Sequence, residues 1–108
     1  MSYTAHTQWE AFKTDMNSNA IFNKWYEYIK LKSHYNHPKH AFNSLCKHDG
    51  GFTVSSKIYE DKIYYKFRSN KSRSNTYLFN QDYQLITIYT RTMKIIYKTQ
   101  KINKKILQ

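Results

Sequence analysis

The stretch Leu45-Cys46-Lys47-His48-Asp49-Gly50-Gly51-Phe52-Thr53-Val54-Ser55-Ser56-Lys57-Ile58 changes its hydrophobic period at its two glycines. Before them, apolar residues recur every three or four positions, the spacing of one helix face. After them, Phe52, Val54 and Ile58 alternate with Thr53, Ser55 and Lys57, the two-residue period of a strand with one face buried. The chain has only these two glycines, and Asp49-Gly50-Gly51 is a helix stop followed by a turn. Helices upstream and strands downstream define an α+β domain. The expected architecture is two to three N-terminal helices packed on a four- to five-stranded antiparallel sheet.

Working back from the glycines, Pro38 suits the first position of a third helix, and Ala41, Phe42 and Leu45 make its buried face. Ile21, Phe22, Trp25, Tyr26 and Ile29 form an apolar stripe opposite Asn23, Lys24, Glu27 and Lys30, which predicts a second helix over 20–33. Asn17-Ser18-Asn19 reads as the break before it. Thr7-Gln8-Trp9-Glu10 fits a capping box, and Trp9, Phe12 and Met16 carry a first helix over 8–17.

Working forward, Ile63, Tyr65 and Phe67 alternate with Tyr64, Lys66 and Arg68, so Glu60-Asp61 turns a hairpin. Asn70 to Asn75 is a polar loop, Thr76 to Phe79 a third strand and Asn80 to Asp82 a turn. Leu85 to Tyr89 and Met93 to Tyr97 are one bent strand or two separate ones. Residues 1–50 thus make a helical layer, 51–100 a sheet and 101–108 a basic tail, either a terminal helical turn or a mobile arm.

At 108 residues the chain is one domain, burying about 65% of its unfolded surface. With four Ala, five Leu and one Val, its core must rest on Ile, Phe, Tyr and Trp. The longest apolar runs are a few residues, which predicts no membrane-spanning helix. A single cysteine, Cys46, and an N-terminus without an apolar leader pattern predict a cytosolic protein.

Charge divides at the same glycines. Residues 1–50 carry six Lys and four acids, net +2, whereas residues 51–108 carry nine Lys, three Arg and three acids, net +9. Codon bias in an AT-rich genome explains abundant Lys, Asn, Ile and Tyr but not a shortage of acids. A basic, Tyr-rich sheet is the composition of a surface that meets polyanions. RNA or a ribonucleoprotein complex is the expected partner, because exposed Tyr and Arg stack on unpaired bases while Lys neutralises phosphate.

The densest basic stretch, Arg68-Ser69-Asn70-Lys71-Ser72-Arg73-Ser74-Asn75, pairs two Arg forks with small hydrogen-bonding residues suited to sugar and phosphate. Arg68, Lys71 and Arg73, together with Lys66, Tyr77, Arg91, Lys94 and Lys98, are the predicted contact residues. No catalytic residue, cofactor or metal ligand is assigned.

Other chemistries are weaker in the residues. His34, His37, His40, Cys46 and His48 are zinc-type ligands without zinc-type spacing, and Pro38 splits them. Asp49, Glu60 and Lys62 have the order of a metal-dependent nuclease, but Glu60 falls in a turn. Three helices and a hairpin match the order of a winged helix, yet the third helix offers only Lys39, Lys47 and Asn43 to DNA. A metal-independent ribonuclease needs only a proton donor or acceptor and cations, for which Arg68, Arg73, Tyr77, Tyr89 and Arg91 qualify. Small messenger-cleaving toxins of the RelE kind are similar in coarse architecture alone. The remaining class is an inhibitor from a phage or plasmid, acting by protein contact on a host defence complex in the manner of anti-CRISPR proteins, its basic half meeting an acidic protein surface or guide RNA.

Overall fold

A computed structural model describes residues 1–108. It shows an α+β fold in which three helices, α1 (Trp9–Thr14), α2 (Met16–Ile29) and α3 (Pro38–His48), pack on one face of a six-stranded antiparallel sheet. The strands are β1 (Ser2–Tyr3), β2 (Phe52–Tyr59), β3 (Lys62–Ser69), β4 (Thr76–Phe79), β5 (Leu85–Tyr89) and β6 (Ile95–Lys98), and each pairs with the next in chain order. The expected four to five strands become six because Ser2 and Tyr3 add an edge beside Thr53 and Phe52. Two residues are too short for a period to register.

The glycine boundary works as the sequence implies. Asp49 N–H and Gly51 N–H both donate to the Leu45 carbonyl, at 3.0 and 2.8 Å, closing the end of α3. Gly50 and Gly51 have φ of 74° and 98°. A Cβ at Gly51 would lie 1.9 Å from the Tyr3 carbonyl oxygen, so the bare backbone here is what lets β1 approach. Glu60 and Asp61, with φ of 50° and 63°, make the two-residue turn between β2 and β3, and positive φ at both central positions is what a type I′ hairpin requires.

The helix boundaries upstream differ from expectation. Asn17-Ser18-Asn19 lies inside the first turn of α2, because Asp15 caps that helix by accepting the Ser18 N–H at 3.3 Å. Thr7 forms no capping box: its hydroxyl accepts the Thr4 N–H at 3.2 Å, and Gln8 precedes α1 without a side-chain cap. Helix α2 stops at Ile29 rather than 33. Leu31 is exposed, so no burial rewards another turn.

The core between helices and sheet is aromatic. Phe52 has ring centroids of Tyr3, Phe12, Phe22, Phe42 and Phe67 within 5.8 Å, and Trp25 stacks on Phe67 at 4.5 Å. Each such pair adds about 0.5–1.5 kcal/mol beyond area burial. The sheet's other face is not open along its whole length. Leu78, Ile86 and Tyr89 form a second small core with Ile106 and Leu107, so the tail is a 3₁₀ turn (Lys104–Ile106) folded back onto the sheet.

Candidate nucleic-acid interface

Strand register decides which polar side chains share the face turned away from the helices. Thr53 pairs with Arg68, Arg68 with Thr76, and Thr76 with Tyr89, so these four make one row across β2 to β5. The next row on that face is Ser55, Lys66, Leu78, Thr87 and Lys98. Leu78 and Thr87 are fully buried there; Leu78 and, from the first row, Tyr89 pack against the returning tail, whereas Thr53 and Arg68 of the first row remain partly exposed.

That uncovered part is a depression of about 370 Å³. Its floor carries Arg68, Lys66, Thr53, Ser55, Thr76 and Tyr89. Thr90, Arg91 and Met93, from the turn joining β5 to β6, stand on one side, and Leu107 of the tail stands on another. The cations are Lys66, Arg68 and Arg91, and no Asp, Glu or His lines the space. Arg91 Nη2 donates to the Lys71 carbonyl at 3.2 Å, tying that turn to the β3–β4 loop. The molecule's two side-chain ion pairs, Lys13–Glu10 and Lys24–Glu27, are both on helices. Neither pair involves Arg68 or Arg91, so these two guanidinium groups have no carboxylate side chain as partner.

The tail contributes main-chain oxygens to the same face. Lys57 Nζ donates to the carbonyls of Lys105 and Gln108, at 2.6 and 2.8 Å. Lys66 Nζ donates to those of Leu107 and Gln108, at 3.2 and 3.1 Å. Burial, and then the charge of Lys57, pulls the Lys66 ammonium below the ordinary lysine pKa. Tyr89 donates its hydroxyl to the Leu107 carbonyl at 3.2 Å. Burial pushes that phenol up to about 12 against opposing contributions from Thr76 and Arg68, so at neutral pH Tyr89 is a hydrogen-bond donor.

The predicted contact residues divide. Lys66, Arg68 and Arg91 meet in the depression, and Lys71 joins them through its carbonyl. Arg73 is exposed in the β3–β4 loop and Lys94 in the β5–β6 turn. Lys98 lies on the same face but on the edge strand β6. Tyr77 lies on the helix-covered face, its ring 5.8 Å from Tyr28 and 6.4 Å from Phe67. An even-numbered neighbour, Thr76 or Leu78, occupies the other side. The hydroxyls of Thr53, Ser55, Thr76 and Thr90 were not among the predicted residues. Their signal was present in the alternation of β2, which assigns Thr53 and Ser55 to the face that carries Arg68 and Lys66.

The rival sites separate in space. Asp49 and Glu60 sit at opposite ends of the eight-residue β2, roughly 25 Å apart, and Asp49 accepts the Ser69 hydroxyl at 3.2 Å. No three His, Cys, Asp or Glu side chains converge as metal ligands, and His37 Nδ1 instead caps α3 by accepting the Lys39 N–H at 3.0 Å. The hairpin that a winged helix would use as its wing is internal, β2 and β3 being flanked by β1 and β4. No helix is long and apolar enough to cross a membrane. Comparison of the chain with protein-family models, curated proteins and solved structures finds no match.

Proposed function

We propose that this protein binds single-stranded RNA, alone or within a ribonucleoprotein, through phosphate contacts on the sheet face away from the helices. The observation that carries this reading is the depression in which Lys66, Arg68 and Arg91 gather among hydroxyls with no Asp or Glu side chain. Such a site favours a polyanion twice over: phosphate replaces missing counter-charges, and condensed ions are released from the nucleic acid. Arg68 and Arg91 supply planar forks for phosphate oxygens. Hydroxyls, rather than stacking aromatic rings, favour RNA. Tyr77 and Tyr89 are held against Tyr28 and Leu107, whereas Thr53, Ser55, Thr76 and Thr90 provide partners for a ribose 2′-OH.

The test is fluorescence anisotropy with labelled single-stranded RNA and DNA of one sequence across a salt series. Affinity should fall with a log–log slope near −0.7 per phosphate neutralised, and RNA should bind more tightly than DNA. Charge reversal at Arg68 and Arg91 together should abolish binding, while Lys24→Glu on the helix side should leave it intact. A salt-independent response would show that charge does not drive association.

A second reading, protein contact with an acidic partner, is favoured by one feature. Strand β6 is a sheet edge exposing Ile96 and Tyr97, with Lys94 and Lys98 alongside, which suits strand addition by an extended acidic segment. Substituting Ile96→Lys separates the two: it disrupts strand addition at β6 and leaves RNA binding at the depression unchanged.

A further inference from the structure

We infer that the depression is a subsite for the phosphate monoester at the end of a nucleic-acid strand, rather than for a diester within one. This rests on the reading above and narrows it. Leu107 and the tail wall the depression toward the β2–β3 hairpin tip, and Thr90, Arg91 and Met93 wall it at the opposite end of the strands. Across the strands, half-buried Ile95 packs beside Tyr89, so the low side is where Thr53 and Ser55 bring only short side chains from β2. A backbone that threads the site needs two low sides; a terminus needs one.

Three cations surround a space of about 370 Å³, near the lower end of small-ligand pockets, about 300–1,000 Å³, and thus of a size for one nucleotide. An internal phosphodiester carries one negative charge, whereas a phosphate monoester carries about −1.5 to −2 near neutral pH and presents three terminal oxygens. Those oxygens match the chemistry present: two guanidinium forks, one ammonium and several hydroxyls. Arg91 is anchored at one nitrogen by the Lys71 carbonyl, leaving its remaining donors available. Lys66 is held by main-chain oxygens of Leu107 and Gln108, which fixes its ammonium at the inner wall and leaves a further N–H for an incoming oxygen.

The experiment compares one short RNA sequence in three forms: 5′-phosphorylated, 3′-phosphorylated and hydroxyl at both ends. Amide shift mapping with inorganic phosphate and adenosine monophosphate accompanies it. One phosphorylated form should bind at least tenfold more tightly than the hydroxyl-ended strand, and which form does so assigns the polarity. Adenosine monophosphate should shift the amides of Thr53, Arg68 and Thr90. Arg68→Gln should erase the preference for the phosphorylated end, and Arg91→Gln, a change in an exposed turn that carries no folding risk, should do so as well. Equal affinity for all three strands overturns the end-group inference and leaves RNA binding standing. Monophosphate shifts at those amides, with no strand bound even at low salt, uphold the subsite and remove the RNA reading. Absence of both overturns both.

Discussion

The two faces of one sheet are stabilised in opposite ways. On the helix side, Phe52, Phe67 and Phe79 are fully buried under three helices, and the face is saturated with aromatic contacts. On the far side, the tail covers only part of the sheet, through Ile106 and Leu107 on Leu78 and Ile86, and the remainder is a cationic depression. One face therefore supplies most of the folding free energy, while the other leaves Arg68 and Arg91 without a carboxylate side chain as partner. Substitutions should follow that division: helix-side changes alter stability before binding, and depression changes alter binding before stability.

The largest expected effect is on the helix side. Phe52→Ala removes a ring that meets five others, and Trp25→Ala removes the stack on Phe67. Each should cost about 3–5 kcal/mol, enough to unfold much of a small domain in urea titration. A stable Trp25→Ala protein that had lost its partner would reverse the assignment of the two faces.

Leu107→Ala should cost less, about 2–3 kcal/mol, since the core it completes has five buried residues rather than thirteen. It should also loosen the carbonyls that hold Lys66 and Tyr89. If it leaves the urea midpoint unchanged, the tail is not a structural part of that face.

Alkaline pH probes the same junction. Tyr89 titrates near 12 in the fold against about 10 in an unfolded chain. The folded state thus keeps a proton that the unfolded state releases. The associated stability is complete below pH 10 and lost as pH rises through about 12, amounting to up to roughly 2.5 kcal/mol. Urea midpoints at pH 9 and pH 11 should show about half of it, roughly 1.3 kcal/mol, and Tyr89→Phe should flatten the difference.

The smallest effect on stability should come from the residues most important to binding. Arg68 makes no ion pair within the chain, so Arg68→Gln should change the unfolding free energy by less than about 0.5 kcal/mol. A large loss would mean that Arg68 supports the fold and would blur the contrast between the faces.

Much of this was legible before the structure. The switch of period at Gly50-Gly51 identified the α+β class, Pro38 the start of α3, and the alternation on either side of Glu60-Asp61 the β2–β3 hairpin, because period and turn chemistry are local and survive without knowledge of partners. The excess of cations after Gly51 singled out Lys66, Arg68 and Arg91 for the same reason: β-strand alternation assigns Lys66 and Arg68 to one face. Alternation carried no such information for Tyr77, whose side depends on register with β3, and Tyr77 belongs with Phe67.

What the sequence by itself determined, then, is the set of elements and the sign of the charge on the sheet, both of which follow from neighbours along the chain. Three things were decided only by tertiary structure. Asp15 became the cap of α2, moving the helix boundary, since which polar residue caps depends on where the Tyr3 hydroxyl, which also bonds Asp15, is placed by the sheet. The tail became a cover rather than an arm, because Ile106 and Leu107 gain burial only where Leu78 and Ile86 are already side by side. The depression exists because that cover reaches Tyr89 through Leu107 but stops short of Thr53 and Arg68. Its extent is a matter of where residues far apart in the chain meet, and no local pattern records that distance.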